Sequence, residues 1–295
     1  MLARIVAAYI AGVESLPLPE KWQLSIAAFW AANMIAVAFP GRYDGQSAAQ
    51  KAKDARSTEL TANLFTPAGW AFAIWGPIFL GEFLMMLVLT TASTSSSGST
   101  LATVGRAVAP GWCAGTLAQI LWCVTFRPGV CGPSLLWLPA VLLAVTGGGL
   151  GVAHRALRSI GALADAPGHA RGRQLPALAD AFVRWPIVLH LGWISAASLV
   201  NLNNYLARRG SSVALKAVAA KTSVAVALAL AAYVYATTED ALVGFVVCWA
   251  LTAVASDGAK AARGLVDDLV LDQVRSVVTK GAVLAGLGLL LKIGQ

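Results

Sequence analysis

Polar side chains inside long apolar runs are the residues of this sequence that could do chemistry. Glu82 lies about midway along one such run, where an ionised carboxylate needs a partner and a neutral one can donate a hydrogen bond. His190 lies in another run, where its imidazole could bind a metal ion or a tetrapyrrole, or bond a backbone carbonyl. Such groups are costly in a membrane, so each has either a packing or a functional role. The other candidates are Asn33, Gln119, Asn201, Asn203, Asn204 and Asp257.

Aromatic side chains are the stronger signal, since the chain contains ten tryptophans. Trp22, Trp112 and Trp185 fall near the ends of apolar runs, which predicts that they lie at the membrane interface. Others lie deeper, and deep aromatic side chains either pack a core or line a cavity for a flat apolar ligand. The deeper group comprises Phe72, Trp75, Phe79 and Trp193.

Residue types for nucleophilic or metal-dependent catalysis do not occur in a recognisable arrangement. No Ser-His-Asp or Cys-His grouping can be assembled from the sequence. The four cysteines include no Cys-x-x-Cys pair, and His154 and His169 have no ligand partner at metal-binding spacing. We therefore expect no metal site, no catalytic residues and no required cofactor, and a role in binding or transport rather than turnover.

The elements that must position these residues are transmembrane helices. Of the 295 residues, 58% are hydrophobic and only 12% are charged, whereas a soluble domain carries about 25% charge. This excludes a soluble enzyme and predicts an all-α, polytopic helical bundle with about eight spans, or seven if a short run does not cross the membrane. The predicted spans are Trp22–Phe39, Ala68–Leu89, Gly111–Phe126, Leu135–Ala153, Trp185–Leu206, Ala217–Ala236, Ala241–Ala255 and Val277–Leu291.

The chain divides into three predicted parts. Residues 1–21 form an interfacial segment, residues 22–236 the main bundle, and residues 237–295 the C-terminal spans. Within the last part, helical spacing predicts an amphipathic surface helix at about 259–276. Gly147 and Gly151 form a Gly-x-x-x-Gly pair that favours close helix packing, either within the chain or in a homodimer.

The formal charge of +8 resides mainly in loops, a pattern that suits membrane lipids with anionic headgroups. No basic stripe interleaved with aromatic residues is present, so nucleic acid is not an expected partner.

Two motifs resemble the tryptophan-rich sensory protein family, also called the translocator protein or peripheral benzodiazepine receptor family. Residues 65–79, FTPAGWAFAIWGPIF, look like the second-helix signature of that family. In the fifth span, Trp193 is followed eight residues later by Asn201, as in the family, and Pro186 precedes them. Residues 119–126 resemble the third helix more faintly.

The resemblance implies a five-helix core that binds a hydrophobic ligand, typically a porphyrin such as haem or protoporphyrin IX, and sterols in animal members. A tetrapyrrole, carotenoid or sterol is therefore the expected kind of ligand. Trp70, Phe72, Trp75, Trp193 and Asn201 would line or support the pocket, and Phe79, Glu82 and His190 complete the candidate ligand-binding set. The chain departs from the family in having about three additional helices after Asn201.

Two other functions stay open from the sequence. The extra C-terminal region suits a non-catalytic accessory subunit of a larger membrane complex. An ion-coupled transporter would use Glu82 as a proton site, but the sequence shows no second charged partner for a relay. By resemblance, the membrane would be mitochondrial or plastid in a eukaryote and the inner membrane in a bacterium.

Overall fold

The fold is described from a computed structural model that covers residues 19–43, 63–92, 100–164, 180–257 and 262–293. Most of the predicted N-terminal interfacial segment lies outside these residues, as do parts of four loops. No β-strand occurs in the ranges described, which are almost entirely helical.

Eight α-helices within these ranges correspond one for one to the eight predicted spans. A 3₁₀ segment, Gly69–Ile74, leads directly into the second helix, and a π-helical turn, Asp180–Arg184, leads into the fifth. The helices are α1 Lys21–Ala38, α2 Trp75–Thr90, α3 Thr100–Thr125, α4 Trp137–Ala164, α5 Trp185–Arg208, α6 Val213–Thr238, α7 Leu242–Asp257 and α8 Asp268–Ile293.

Five of these helical segments, α2 with its 3₁₀ lead through α6, are long and apolar enough to cross a membrane. Together with the family assignment below, this makes the protein an integral membrane helical bundle. Helix α7 is apolar but shorter. The predicted surface helix at 259–276 is wrong, because residues 262–267 form turns and one unbroken helix runs from Asp268 to Ile293.

Glycines allow a direct backbone contact between α3 and α4. A Cβ atom on Gly149 would lie 2.5 Å from the backbone nitrogen of Gly115 and 2.7 Å from the carbonyl oxygen of Gly111. The two backbones therefore meet directly, which maximises van der Waals contact in lipid. The close packing is within the chain, and it uses Gly149 rather than the predicted pair Gly147 and Gly151.

Hydrogen bonds define the two ends of the bundle. At the first end, the Gln23 amide of α1 donates to the carbonyl oxygen of Thr90, the last residue of α2, and to that of Ala92. At the second end, the backbone N–H of Tyr43 donates to the Phe126 carbonyl, which places the ends of α1 and α3 together. Successive helices thus run in alternating directions.

A buried carboxylate ties three segments together at the first end. Oδ2 of Asp240, in the loop between α6 and α7, lies 3.1 Å from Nε2 of His154 in α4. The same oxygen accepts a hydrogen bond of 2.9 Å from Arg184 in the π-helical turn. Burial raises the pKa of Asp240, but the His154 hydrogen bond and the Arg184 charge outweigh it and lower the pKa to about 2.

Stability should therefore depend on pH through Asp240. Because its pKa is lower in the folded chain than in the unfolded chain, its contribution is complete above about pH 4 and is lost as pH falls towards 2. We expect Asp240→Asn to cost on the order of 2 kcal/mol at pH 6 and roughly half of that at pH 3, where the carboxyl group of the unfolded chain is mostly protonated. Thermal unfolding in mild detergent at both pH values measures this, with Asp272→Asn, on the exposed side of α8, as the control. An equal cost at both pH values would contradict the assignment.

Candidate functional site

The 3₁₀ segment Gly69–Ile74 is fastened to α7 and forms one wall of the candidate site. The backbone N–H of Ala68 donates to the carbonyl oxygen of Ala253 at 3.0 Å. The indole N–H of Trp249 donates to the carbonyl oxygen of Ala71 at 3.1 Å, and the Trp249 ring meets the Trp70 ring edge-on. Trp249 was not predicted as a site residue, yet it anchors the wall that carries the family-like motif.

Helix α5 approaches α2 where α2 has no side chain. A Cβ atom on Gly81 would lie 2.9 Å from the Cβ atom of Pro186 in the first turn of α5. His190 follows Pro186 by four residues and therefore lies on the same face of α5. The Gly81–Pro186 contact thus brings His190 against the next residue of α2, Glu82.

Glu82 and His190 form a hydrogen-bonded pair in the bundle interior. Nδ1 of His190 lies 2.7 Å from Oε1 of Glu82, and the indole N–H of Trp112 donates to the same oxygen at 3.3 Å. All three side chains are almost completely buried. His190 is thus the titratable partner of Glu82 that sequence spacing did not reveal. The predicted interfacial position of Trp112 is wrong, because its ring is fully buried in the core.

Four aromatic side chains adjoin the His190 ring of this pair, and the five rings together define the aromatic cluster, which consists of Phe72, Trp75, Phe79, His190 and Trp193. The Trp75 ring stacks on Phe79, with 4.8 Å between centroids. It meets His190 edge-on at 5.6 Å and Trp193 edge-on at 6.3 Å. Phe72 meets Trp193 edge-on at 5.5 Å. The cluster therefore joins the 3₁₀ segment, α2 and α5 through contacts of the kind aromatic rings prefer.

Exposure changes across the aromatic cluster. Phe72 is 41% exposed, whereas Trp193 is 3% exposed and His190 is 1% exposed. The cluster therefore has an exposed rim at Phe72 on the 3₁₀ segment and a buried floor, which is formed by His190 and Trp193 of α5 with Glu82 of α2 beside them.

Three polar atoms on this floor make no hydrogen bond within the described part of the chain. They are Oε2 of Glu82, Nε2 of His190 and Nε1 of Trp193. Buried polar atoms in proteins nearly always have a partner, so these three atoms, on Glu82, on His190 and on Trp193 in the next turn of α5, are candidate contacts for a bound molecule.

Two predicted site residues lie elsewhere. Trp70, 45% exposed, packs on Trp249 rather than on the aromatic cluster. Asn201 lies eleven residues beyond His190, about 16 Å along α5. Its side-chain oxygen accepts a hydrogen bond of 3.5 Å from Trp122 of α3. Asn201 therefore joins α3 to α5 and lies away from the rings of the aromatic cluster.

Metal-binding clusters are not found among the described side chains, since no group of three or more His, Cys, Asp or Glu residues converges there. All four cysteines are free thiols. The chemistry available at the aromatic cluster is therefore that of flat apolar surfaces, one imidazole and one carboxyl group.

A family model described as TSPO-like protein matches residues 21–291, which include all of the site. The chain belongs to the TSPO-like family. No curated protein and no solved structure matches it significantly. The match extends through α6, α7 and α8, so in this TSPO-like protein the helices after Asn201 are part of the family region and not an appended domain.

Proposed function

We propose that this TSPO-like protein binds a flat hydrophobic ligand, such as a porphyrin or another tetrapyrrole, at the aromatic cluster. The observation that carries the proposal is the contact of Trp75 with both His190 and Trp193, beside polar atoms that lack partners. Large rings offer contact area to a planar ligand at low entropic cost. The function is binding, in the service of transport or sensing, rather than turnover.

The polar atoms on the floor suit the chemistry of a tetrapyrrole. The N–H of Trp193 can donate to a polar group on a ligand, and the Glu82 carboxyl has one oxygen free of hydrogen bonds within the described residues. In a metallated tetrapyrrole, Nε2 of His190 would be the metal ligand, because Glu82 already holds Nδ1. A carboxylate that orients the other nitrogen is the usual support for a metal-binding histidine.

Entry of a ligand has to occur through the rim. The 3₁₀ segment carries Phe72 and continues directly into α2. Displacing this segment from α7 would uncover Trp193 without disturbing the Glu82–His190 pair. This displacement would break two hydrogen bonds: the one from the Ala68 N–H to the Ala253 carbonyl oxygen and the one from the Trp249 indole to the Ala71 carbonyl oxygen.

Truncating the stacking rings should weaken porphyrin binding. Trp75→Ala and Trp193→Ala should each lower the affinity for protoporphyrin IX by about 1 kcal/mol or more, because each removes a ring from the cluster. The measurement is a titration of detergent-solubilised protein with protoporphyrin IX, followed by porphyrin absorbance so that the loss of a tryptophan does not affect the signal.

The matched control is Trp137→Ala. Trp137 is at the start of α4, 45% exposed and outside the aromatic cluster, so its removal should leave the affinity unchanged. Unchanged affinity in both cluster variants, or an equal loss in the control, would remove the proposed site.

A further inference from the structure

A groove lies between α4 and α6, with α5 as its floor. Its volume is about 320 Å³, within the range of small-molecule sites, and it is separate from the aromatic cluster. Glycines form part of one wall: Cβ atoms on Gly148 and Gly151 would meet nothing within 4 Å. The exposed Ala144 and Gly148 lie along it, so it is open sideways to the membrane. Its apolar part is lined by Leu143, Ala144, Gly147, Gly148, Leu191 and Leu230.

The groove has the length of one membrane leaflet. It extends along α4 from Leu143 to Arg155, which is about 18 Å at the rise of an α-helix. Half of a hydrocarbon core is about 15 Å thick. Arg155 lies five residues before the end of the apolar segment Trp137–Ile160, and Tyr233 lies five residues before the end of the apolar segment Val213–Thr238. This end of the groove is therefore near the membrane surface. An acyl chain that lies in the groove would therefore reach the bilayer middle from a headgroup at the first end of the bundle.

The surface end of the groove is positively charged. Arg155 is exposed and donates a hydrogen bond of 3.3 Å to the hydroxyl of Tyr233, a neutral group. The nearby carboxylate of Asp240 is already matched by Arg184. Arg158 lies one turn beyond Arg155 on α4, and Glu239 follows Thr238 at the end of α6, so the formal charge at this end of the groove remains positive. An apolar channel that ends at an arginine and a tyrosine hydroxyl complements a lipid whose headgroup carries a net negative charge.

We propose that this groove is a binding site for an anionic phospholipid, with one acyl chain along Gly148 and Gly151 and the headgroup phosphate at Arg155. The site is independent of the aromatic cluster and does not depend on the proposed porphyrin function. The bound molecule is a structural or regulatory lipid from the membrane leaflet at the first end of the bundle.

The test is native mass spectrometry of the full chain in mild detergent, titrated with phosphatidylglycerol or with phosphatidylcholine of the same acyl chains. Wild-type protein should bind one phosphatidylglycerol more tightly than phosphatidylcholine. Arg155→Gln should lower the phosphatidylglycerol affinity about fivefold, the effect of one basic residue at an anionic lipid, and leave phosphatidylcholine nearly unchanged. Arg209→Gln is the matched control, because Arg209 is also exposed and bonded to a tyrosine hydroxyl, that of Tyr205, but at the other end of α5.

A second variant tests the acyl channel separately from the headgroup. Gly148→Leu places a side chain in the groove and should weaken the binding of both lipids. The control is Gly244→Leu in α7: a Cβ atom on Gly244 also meets nothing within 4 Å, and this variant should bind both lipids as the wild type does. Three results would overturn the proposal: equal binding of the two lipids by wild-type protein, equal losses in the two arginine variants, or full lipid binding by Gly148→Leu. These outcomes do not depend on porphyrin binding or on the tryptophan variants.

Discussion

Replacing His190 with leucine should lower the free energy of unfolding by about 3 kcal/mol. The substitution leaves Oε1 of Glu82 with only the 3.3 Å hydrogen bond from Trp112, and the whole carboxyl group stays fully buried. Removing one member of a buried hydrogen-bonded pair costs roughly 1–3 kcal/mol when the remaining group is neutral and about 3–5 kcal/mol when it is charged. Thermal or denaturant unfolding in a fixed detergent measures the loss.

The double variant Glu82→Leu/His190→Leu separates the pair from the packing around it. Because the carboxyl group is then absent, the double variant should be less destabilised than the sum of the two single variants, with a coupling of about 1 kcal/mol or more. Additive losses, or a His190→Leu variant as stable as the wild type, would show that the two groups do not interact.

Gly149→Ala should destabilise the bundle strongly, although it adds only one methyl group. The added Cβ would lie 2.5 Å from the Gly115 nitrogen and 2.7 Å from the Gly111 carbonyl oxygen, so α3 and α4 would have to separate. Backbone atoms cannot rotate away as a side chain can, and overpacking of this kind costs about 3 kcal/mol. The expected result is a large fall in thermal stability in detergent.

Gly148→Ala is the control, one residue away on the same helix. Its Cβ would meet nothing within 4 Å, and alanine favours a helix over glycine, so we expect unchanged or slightly higher stability. Equal effects of the two substitutions would contradict the direct backbone contact between α3 and α4.

The helices were predictable from the sequence because lipid demands long apolar segments, and eight such runs became eight helices. Their limits were less predictable where polar residues extend a helix beyond the apolar run. Helix α3 begins at Thr100 rather than near Gly111 and includes Arg106 and Pro110. Helix α8 continues through Asp272 and Arg275, since nothing between Asp268 and Val277 breaks a helix.

The error in α3 also explains the error at Trp112. With a helix that starts near Gly111, Trp112 would lie at the membrane interface. In a helix that starts at Thr100 it lies twelve residues in, near the middle, where its N–H reaches Glu82. The wrong predicted start of α3 is therefore the reason why Trp112, a buried residue beside Glu82, was predicted to lie at the membrane interface.

Local spacing predicted part of the aromatic cluster, and tertiary contact decided the rest. Trp75 and Phe79 are four residues apart, and His190 and Trp193 three apart, so each pair shares a helix face. The pairing of Glu82 with His190 spans 108 residues and depends on the Gly81–Pro186 contact, which no pattern along the chain reveals. Trp249 was missed for the same reason.

The central claim is that a planar ligand binds at Trp75 and Trp193, and native mass spectrometry with protoporphyrin IX tests it most directly. Incubated with the porphyrin in mild detergent, wild-type protein should show one bound molecule per chain, and the Trp75→Ala/Trp193→Ala double variant should show little or none at the same concentration. A wild-type chain that retains no porphyrin, or a double variant that retains as much as the wild type, would contradict the account.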